Sequence, residues 1–207
     1  MNLKKRLILF LLIVVAQCLY TFINRTVHGG LLPRTFLDNY IPLWPIWVVP
    51  YLIEPTVWIG FGLWTVWKMD ERLFRAYVIA SLATIIPSMF FFVICPTYVE
   101  RPAVSGVDWA SSLLRFLYAN DRANNAFPSG HMYFAVLLAY FVTRWKPRLF
   151  WFAAFMVILV VCSTLFTGQH YVLDLVGGAL FATLGISVGM WWEYQRPDRW
   201  QVRGTFE

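Results

Sequence analysis

The stretch NAFPSGH, residues 125–131, decides the fold because it predicts a turn that opens into an apolar helix. Pro128 lacks a backbone N–H, and Ser129 is a favoured N-cap residue. We therefore expect a helix that begins here and runs to about Trp145. The first turn of a helix has unpaired N–H groups and a partial positive charge, which favour a bound anion such as phosphate. Alternatively, Ser129 only caps the helix and His131 is an interfacial residue.

The composition is that of a membrane protein. Of the 207 residues, 59% are hydrophobic and only 14% are charged, against roughly 25% charged residues in soluble domains. The length fits one domain over residues 1–207. The net charge is +6, but the basic residues stand in short clusters between apolar segments, so we expect no nucleic-acid partner. The three cysteines lack ligand-like spacing, and we expect neither a disulfide, a metal nor a cofactor.

Apolar segments separated by polar turns predict an all-α polytopic protein with six transmembrane helices. The first could be a signal peptide, but the apolar segment continues without a small-residue cleavage site, which favours a retained helix. The predicted spans are residues 7–23, a segment that ends near residue 67, residues 76–95, 131–145, 149–166 and 170–192, followed by a polar tail with Arg196, Asp198, Arg199 and Arg203.

The segment Tyr40–Pro55 precedes the second span and contains four prolines. This proline density predicts a bent or interfacial segment instead of one straight helix. Glu54 lies in this apolar stretch, where an acid at membrane depth would indicate function. We favour the alternative that Glu54 lies shallow, at the membrane interface.

The longest polar connection, residues 96–128, contains a predicted short amphipathic helix, Val107–Tyr118. Its predicted apolar face comprises Trp109, Leu113, Phe116 and Leu117, with Asp108, Ser111, Ser112 and Arg115 pointing elsewhere.

The distribution of basic residues predicts the orientation of the chain. With six spans, most of the 17 lysines and arginines lie on the side of the termini, which the positive-inside rule makes cytoplasmic. Arg101, the turn 128–131 and His170 then meet on the outer face. The compact loops lead us to expect a bacterial inner membrane, with the site facing the periplasm. The basic residues on the outer side are Arg25, Arg34, Arg101, Arg115 and Arg122.

A histidine and a carboxylate stand four residues apart at His170 and Asp174. On a helix this spacing places them on one face, one turn apart. A carboxylate that accepts from one ring nitrogen fixes the tautomer and leaves the other nitrogen free to attack, as a nucleophilic histidine requires. Alternatively, the pair only packs the last span against its neighbours.

These motifs together resemble a known family. Arg101-Pro102, then residues 128–131, then residues 170–174 followed by Gly177-Gly178 are similar to the three signature motifs of the type 2 phosphatidic acid phosphatase superfamily. The superfamily comprises integral-membrane lipid phosphatases and phosphotransferases and shares a six-helix core with vanadium haloperoxidases. The resemblance covers residues 94–178.

The resemblance implies a role for each matched residue. His170 would attack phosphorus to give a phosphohistidine, and Asp174 would orient it. His131 would protonate the leaving oxygen. Arg101 and the turn Ser129-Gly130 would bind phosphate oxygens. Phosphoryl transfer needs positioning and cationic or N–H stabilisation of these oxygens, which such residues supply without a metal.

Two positions depart from the family pattern. The lysine of its first motif is replaced by Ile94, and an arginine of its third motif by Thr164. Arg115 or Arg122 could supply the missing charge from the loop. A site with fewer cations suits a phosphodiester. The run from Asp121 to the second motif is also similar to the inositol phosphorylceramide synthase and sphingomyelin synthase branch, which transfers headgroups between lipids.

We therefore expect a lipid phosphatase acting on a lipid phosphate ester or diphosphate at the outer face, with headgroup transfer between lipids as the alternative. Aromatic residues such as Trp44, Trp47 and Trp109 favour a lipid that enters sideways from the bilayer. Other interpretations are a non-enzymatic lipid-binding or transport protein, or a serine hydrolase whose triad comprises Ser129, His170 and Asp174.

Overall fold

The computed structural model describes residues 1–195, and the long secondary-structure elements in this range are all α-helices. Arg196, Asp198, Arg199 and Arg203, which the sequence assigns to a polar tail, lie outside the described residues. The helices within the described range are α1 (Leu3–Thr26), α2 (Val48–Lys68), α3 (Glu71–Ile94), α4 (Trp109–Asn120), α5 (Gly130–Trp145), α6 (Phe150–Phe166) and α7 (Val172–Tyr194).

Five helical segments within residues 1–195 are long and apolar enough to cross a membrane: Leu3–Thr26, Pro45–Lys68, Glu71–Ile94, Pro147–Phe166 and Val172–Glu193. The expectation of an all-α polytopic membrane protein is confirmed. The fourth predicted span corresponds to α5, which is not among these five helical segments. It has only 16 residues, so at 1.5 Å per residue it reaches about 24 Å, against roughly 30 Å for a hydrocarbon core. It is therefore shorter than the other spans.

The proline-rich segment before α2 is less irregular than its sequence predicts. Pro45 opens a short 3-10 turn, and α2 begins directly after it at Val48. Pro50 lies in the first turn of α2, where a missing N–H costs little. Only Pro55 lies in the helix interior.

Glycines on α7 allow this helix to pack closely against α3 and against the turn before α5. At Gly189, a Cβ would lie 2.4 Å from the Ala76 carbonyl oxygen of α3. Gly178, near the start of α7, lies against the turn before α5, where a Cβ would be 2.5 Å from the Ser129 carbonyl oxygen. A side chain at Gly178 would therefore push the turn of residues 128–131 away from α7.

The two ends of the helical bundle are held together by different kinds of contact. At one end, the Met1 amino group pairs with Glu71, and Arg75 lies 3.0 Å from Glu193. At the opposite end, three connections are tied by isolated backbone bridges, Leu31 with Thr97 and Tyr98 with Asn124. The predicted motifs lie at this second end, far from both Met1 and the last described residues.

The apolar face predicted for α4 is only partly buried. Of its residues, Trp109 and Phe116 are 62% and 65% exposed, whereas Leu117 is buried. The side chains that α4 buries are Ala110, Ser111, Leu114 and Leu117. In a bilayer, apolar side chains are tolerated on the outside of a protein, so hydrophobicity alone does not identify the buried face of a helix near the membrane.

Candidate active site

A cavity of about 300 Å³ lies among α1, α2, α5 and the connections at the motif-bearing end. Arg101, Gly130, His131 and His170 all line it, although they come from separate parts of the sequence. Its wall on the helix side is largely apolar and aromatic, with Tyr20, Tyr51, Trp58, Ile59 and Phe134. The structure therefore brings the central residues of all three predicted motifs to one place.

His170 lies in the turn that joins α6 to α7, not on the helix itself. Helix α7 begins at Val172, so the expectation that His170 and Asp174 share one helix face is corrected. The backbone N–H groups of Gln169 and His170 both donate to the Thr164 carbonyl, at 3.1 and 3.3 Å, and this fixes the turn. His170 Nδ1 nevertheless lies 3.4 Å from Asp174 Oδ2.

Asp174 is fully buried beneath His170. Its Oδ2 accepts a hydrogen bond of 2.8 Å from the Tyr171 N–H at the start of α7. A buried carboxylate needs such donors, and the helix N-terminus favours its negative charge. Within residues 1–195, Asp174 Oδ1 and His170 Nδ1 have no well-aligned hydrogen-bond partner. A small rotation of the imidazole would convert the 3.4 Å contact into a hydrogen bond.

His131 lies in the first turn of α5 and faces His170, with the two ring centroids 5.6 Å apart. Its ring stacks on Tyr51 of α2 at 4.4 Å. Its Nε2 also lies 3.9 Å from Glu54 Oε2, whose side chain is only 13% exposed. Glu54 therefore lines the cavity beside His131.

Arg101 is fixed from several sides. Its Nη1 donates to the carbonyls of Tyr118 (3.2 Å) and Asp121 (2.7 Å), and its Nη2 donates to Gln169 Oε1 and lies 3.3 Å from Asp121 Oδ2. The guanidinium also lies 4.7 Å from the centre of the Tyr118 ring. Arg101 Nε and Gln169 Nε2 are buried without a partner among the described residues, and both side chains belong to residues that line the cavity.

Ser129 caps α5 as the sequence predicts. Its Oγ accepts from the Met132 N–H at 3.4 Å, and its own N–H donates to the Asp174 carbonyl at 2.9 Å. The side chain is fully buried and is not among the residues that line the cavity, whereas Gly130 is. Ser129 thus joins α5 to the start of α7, and of the pair it is Gly130 that faces the cavity.

The two loop arginines expected to supply positive charge differ in position. Arg115 donates to the Val104 carbonyl at 3.1 Å and to that of Gly106 at 2.5 Å, so the structure does not bring it to the cavity. Arg122 lines the cavity, but its Nη1 lies 3.0 Å from His28 Nε2, away from the two facing imidazoles.

The two positions where the family pattern has a cation do not face the cavity. Ile94 is 78% exposed on the outside of α3. Thr164 is buried, and its Oγ1 donates to the Val160 carbonyl at 2.8 Å.

Asn125 is a cavity residue that we did not predict. It is 1% exposed, and neither atom of its amide has a hydrogen-bond partner among residues 1–195. Unpaired buried amides are costly, so a ligand that satisfies this one would gain affinity. Its place directly before the second motif was the only signal in the sequence. No group of three or more His, Cys, Asp or Glu residues in the described range is arranged to hold a metal ion.

Burial raises the pKa of the Asp121 carboxyl above its ordinary value, although Arg101 opposes this effect. A carboxyl with a raised pKa stabilises the fold most below its ordinary pKa of about 3.9, and loses this contribution as pH rises through the raised value. We therefore expect the melting temperature of the wild type, relative to Asp121→Asn, to fall as pH increases from about 4 to neutrality. Thermal unfolding of both proteins across this range would test it, and a difference independent of pH would contradict it.

The model of the PAP2 superfamily, the type 2 phosphatidic acid phosphatases, matches residues 34–188. This range includes the motif residues that line the cavity, namely Arg101, Gly130, His131 and His170. In the further comparisons, no curated protein and no solved structure matches the chain. Since the family model covers well over half of the sequence, the chain belongs to the PAP2 superfamily.

Proposed function

We propose that the protein is a lipid phosphatase that cleaves a lipid phosphate ester or diphosphate through a phosphohistidine at His170. The observation that carries this proposal is the position of Arg101, His131 and His170 around one cavity with an apolar wall. Membership of the PAP2 superfamily supports an enzyme of the phosphatase or phosphotransferase type. A phosphate bound between the two imidazoles would be in reach of the Arg101 guanidinium.

The first step forms a bond between His170 Nε2 and phosphorus as the bond from phosphorus to the leaving oxygen breaks. Asp174 orients His170 through Nδ1 and stabilises the positive charge that develops on the ring. His131 donates a proton to the leaving oxygen. In the second step, His131 accepts a proton from water, whose oxygen attacks phosphorus, and phosphate leaves as His170 is regenerated.

Glu54 serves the same step through His131. The two side chains can share the proton that the leaving oxygen needs, because only 3.9 Å separates Glu54 Oε2 from His131 Nε2. Tyr51 stacks on the face of the His131 ring and so limits the rotation of the imidazole. Glu54 is therefore a positioning and proton-holding residue for His131.

Replacing Glu54 with glutamine should lower kcat about 10- to 100-fold, because general acid–base catalysis contributes factors of this size and larger. The amide keeps the shape of the carboxyl but cannot exchange the proton. We expect KM to change little and the pH profile of kcat to lose one limb. Glu71→Gln, at the opposite end of the bundle, provides the matched control and should keep the wild-type profile. An unchanged profile in Glu54→Gln would show that Glu54 holds no catalytic proton.

The lipid is proposed to enter from the bilayer between α1, α2 and α5, because the residues on this side of the cavity are mostly apolar. A neighbouring apolar groove between α2, α5 and α6 shares Glu54 and Trp58 with the cavity. The tryptophans that we expected at the entrance lie elsewhere: Trp44 and Trp47 pack on Phe166, and none of Trp44, Trp47 and Trp109 lines the cavity.

We further propose that the cavity faces the exterior and that the termini are cytoplasmic. The support is the excess of lysine and arginine in the connections at the end of the bundle that holds Met1. Labelling of single cysteines introduced at exposed positions of both ends, with a membrane-impermeant reagent on intact cells, would test this orientation.

Headgroup transfer between lipids is the second candidate, and the charge of the cavity favours it. The lining includes two arginines, Arg101 and Arg122, and two acidic residues, Glu54 and Asp121. Such a balanced site fits a phosphodiester with one negative charge at least as well as a doubly charged monoester. In this reaction, a lipid alcohol replaces water in the second step.

A panel of phospholipids, assayed with and without an added lipid alcohol, separates these activities. Release of inorganic phosphate by the purified protein without an acceptor supports the phosphatase. New lipid products that require the acceptor support the transferase. Vanadate should inhibit either reaction, whereas covalent labelling by a fluorophosphonate at Ser129 would instead support a serine hydrolase. Lipid binding without any product would support a binding or transport protein.

A further inference from the structure

A second cavity, of about 420 Å³, lies on the loop side of the site. It shares Arg101 and His170 with the first cavity, so these two residues separate a largely apolar space from a polar one. Four charged residues line the second cavity: Arg34, Asp38, Glu100 and Arg101. His170 is therefore accessible from both sides.

The segment that carries Arg34 is anchored beside the nucleophile. Asp38 Oδ1 accepts a hydrogen bond of 2.8 Å from the Val172 N–H in the first turn of α7, two residues after His170. Asp38 Oδ2 accepts hydrogen bonds from the backbone N–H and the hydroxyl of Thr35, at 2.6 and 2.7 Å. These bonds fix the connection between α1 and α2 against the start of α7, although the two are far apart in sequence.

The guanidinium of Arg34 is oriented but only partly neutralised. Its Nη2 donates to Asn39 Oδ1 at 2.7 Å. Its Nη1 lies 3.7 Å from Glu100 Oε2, with the two side chains 45% and 55% exposed. Such an exposed pair at this distance contributes little energy, so an anion could replace Glu100 as the partner of Arg34 at little cost.

We propose that Arg34 is a second phosphate-binding residue of the catalytic site, approaching His170 from the polar cavity while Arg101 is fixed beside it. This inference rests on the proposed function. It supplies a positive charge that neither Ile94 nor Thr164 provides. A guanidinium can donate two parallel hydrogen bonds to phosphate oxygens, which suits a phosphate held between two arginines.

Binding of orthovanadate to the purified full-length protein in detergent tests this inference. Arg34→Gln should weaken vanadate binding about tenfold, the effect of losing one charge-assisted hydrogen bond. Arg34→Lys should recover part of the loss, because it keeps the charge but not the planar geometry. Glu100→Gln should strengthen binding, because it removes the carboxylate that competes for Arg34. Arg25→Gln, an exposed arginine at the end of α1 that lines neither cavity, should bind as the wild type does.

The outcomes distinguish this inference from the proposed function. Equal affinity of the wild type and Arg34→Gln would overturn the role of Arg34 and leave the phosphatase proposal standing. Equal affinity of the lysine and glutamine variants would overturn it as well, since the charge would then not matter. A wild-type protein that does not bind vanadate would contradict the proposed function together with the inference. A fall in affinity without a fall in melting temperature would support a direct contact.

Discussion

Replacing His170 with alanine is expected to abolish turnover, with a loss in kcat of about 10⁴-fold or more, because covalent catalysis ends when the nucleophile is removed. The side chain lies in a turn held by backbone hydrogen bonds to Thr164, so its removal should leave the fold intact. The measurement is kcat for the best substrate of the lipid panel, with the amount of protein in the membrane fraction determined in parallel.

The matched control for this variant is His28→Ala. His28 is an exposed histidine at the same end of the molecule, where it contacts Arg122 and Asn124. It lines neither cavity, and we expect its removal to leave kcat near that of the wild type. Substantial turnover by His170→Ala, at normal membrane levels, would eliminate His170 as the nucleophile.

Replacing Asp174 with asparagine is expected to lower kcat by roughly 10²- to 10⁴-fold while KM stays close to that of the wild type. The amide has nearly the same shape, and its oxygen can still accept the hydrogen bond from the Tyr171 N–H. The amide is neutral, however, so it cannot stabilise positive charge on His170. KM should be insensitive because Asp174 lies beneath His170 and does not line either cavity.

Asp70→Asn makes the same chemical change at the start of α3, where Asp70 Oδ1 accepts from the Leu73 N–H at 2.8 Å. We expect it to affect stability by about 1 kcal/mol at most, without an effect on kcat. If Asp174→Asn instead raised KM and left kcat unchanged, Asp174 would act in substrate binding and not through His170.

The sequence predicted those parts of the structure that depend on local chemistry. The polar turns between apolar segments located the long helices, and the N-cap at Ser129 is confirmed by its hydrogen bond with the Met132 N–H. The glycines after Asp174 belonged to the recognised motif, and the structure explains one of them, since Gly178 has no room for a side chain next to Ser129.

The sequence did not predict those positions that depend on contacts between distant segments. Glu54 reaches His131 because α2 packs beside α5, and no local pattern around residue 54 reveals this. Arg34 reaches the second cavity only because Asp38 binds the start of α7. The apolar pattern of α4 also does not show which side chains are buried, because Trp109 and Phe116 are exposed although they are apolar.

Direct detection of the phosphoenzyme tests the central claim. The purified protein would be mixed with substrate labelled in its phosphate, quenched within one turnover in alkali, digested and analysed by mass spectrometry. We predict a phosphorylated imidazole at His170 whose label is stable in alkali and lost in acid, and which is absent from His170→Ala. Turnover of the same substrate with no label on His170, or with label on Ser129 instead, would contradict the account.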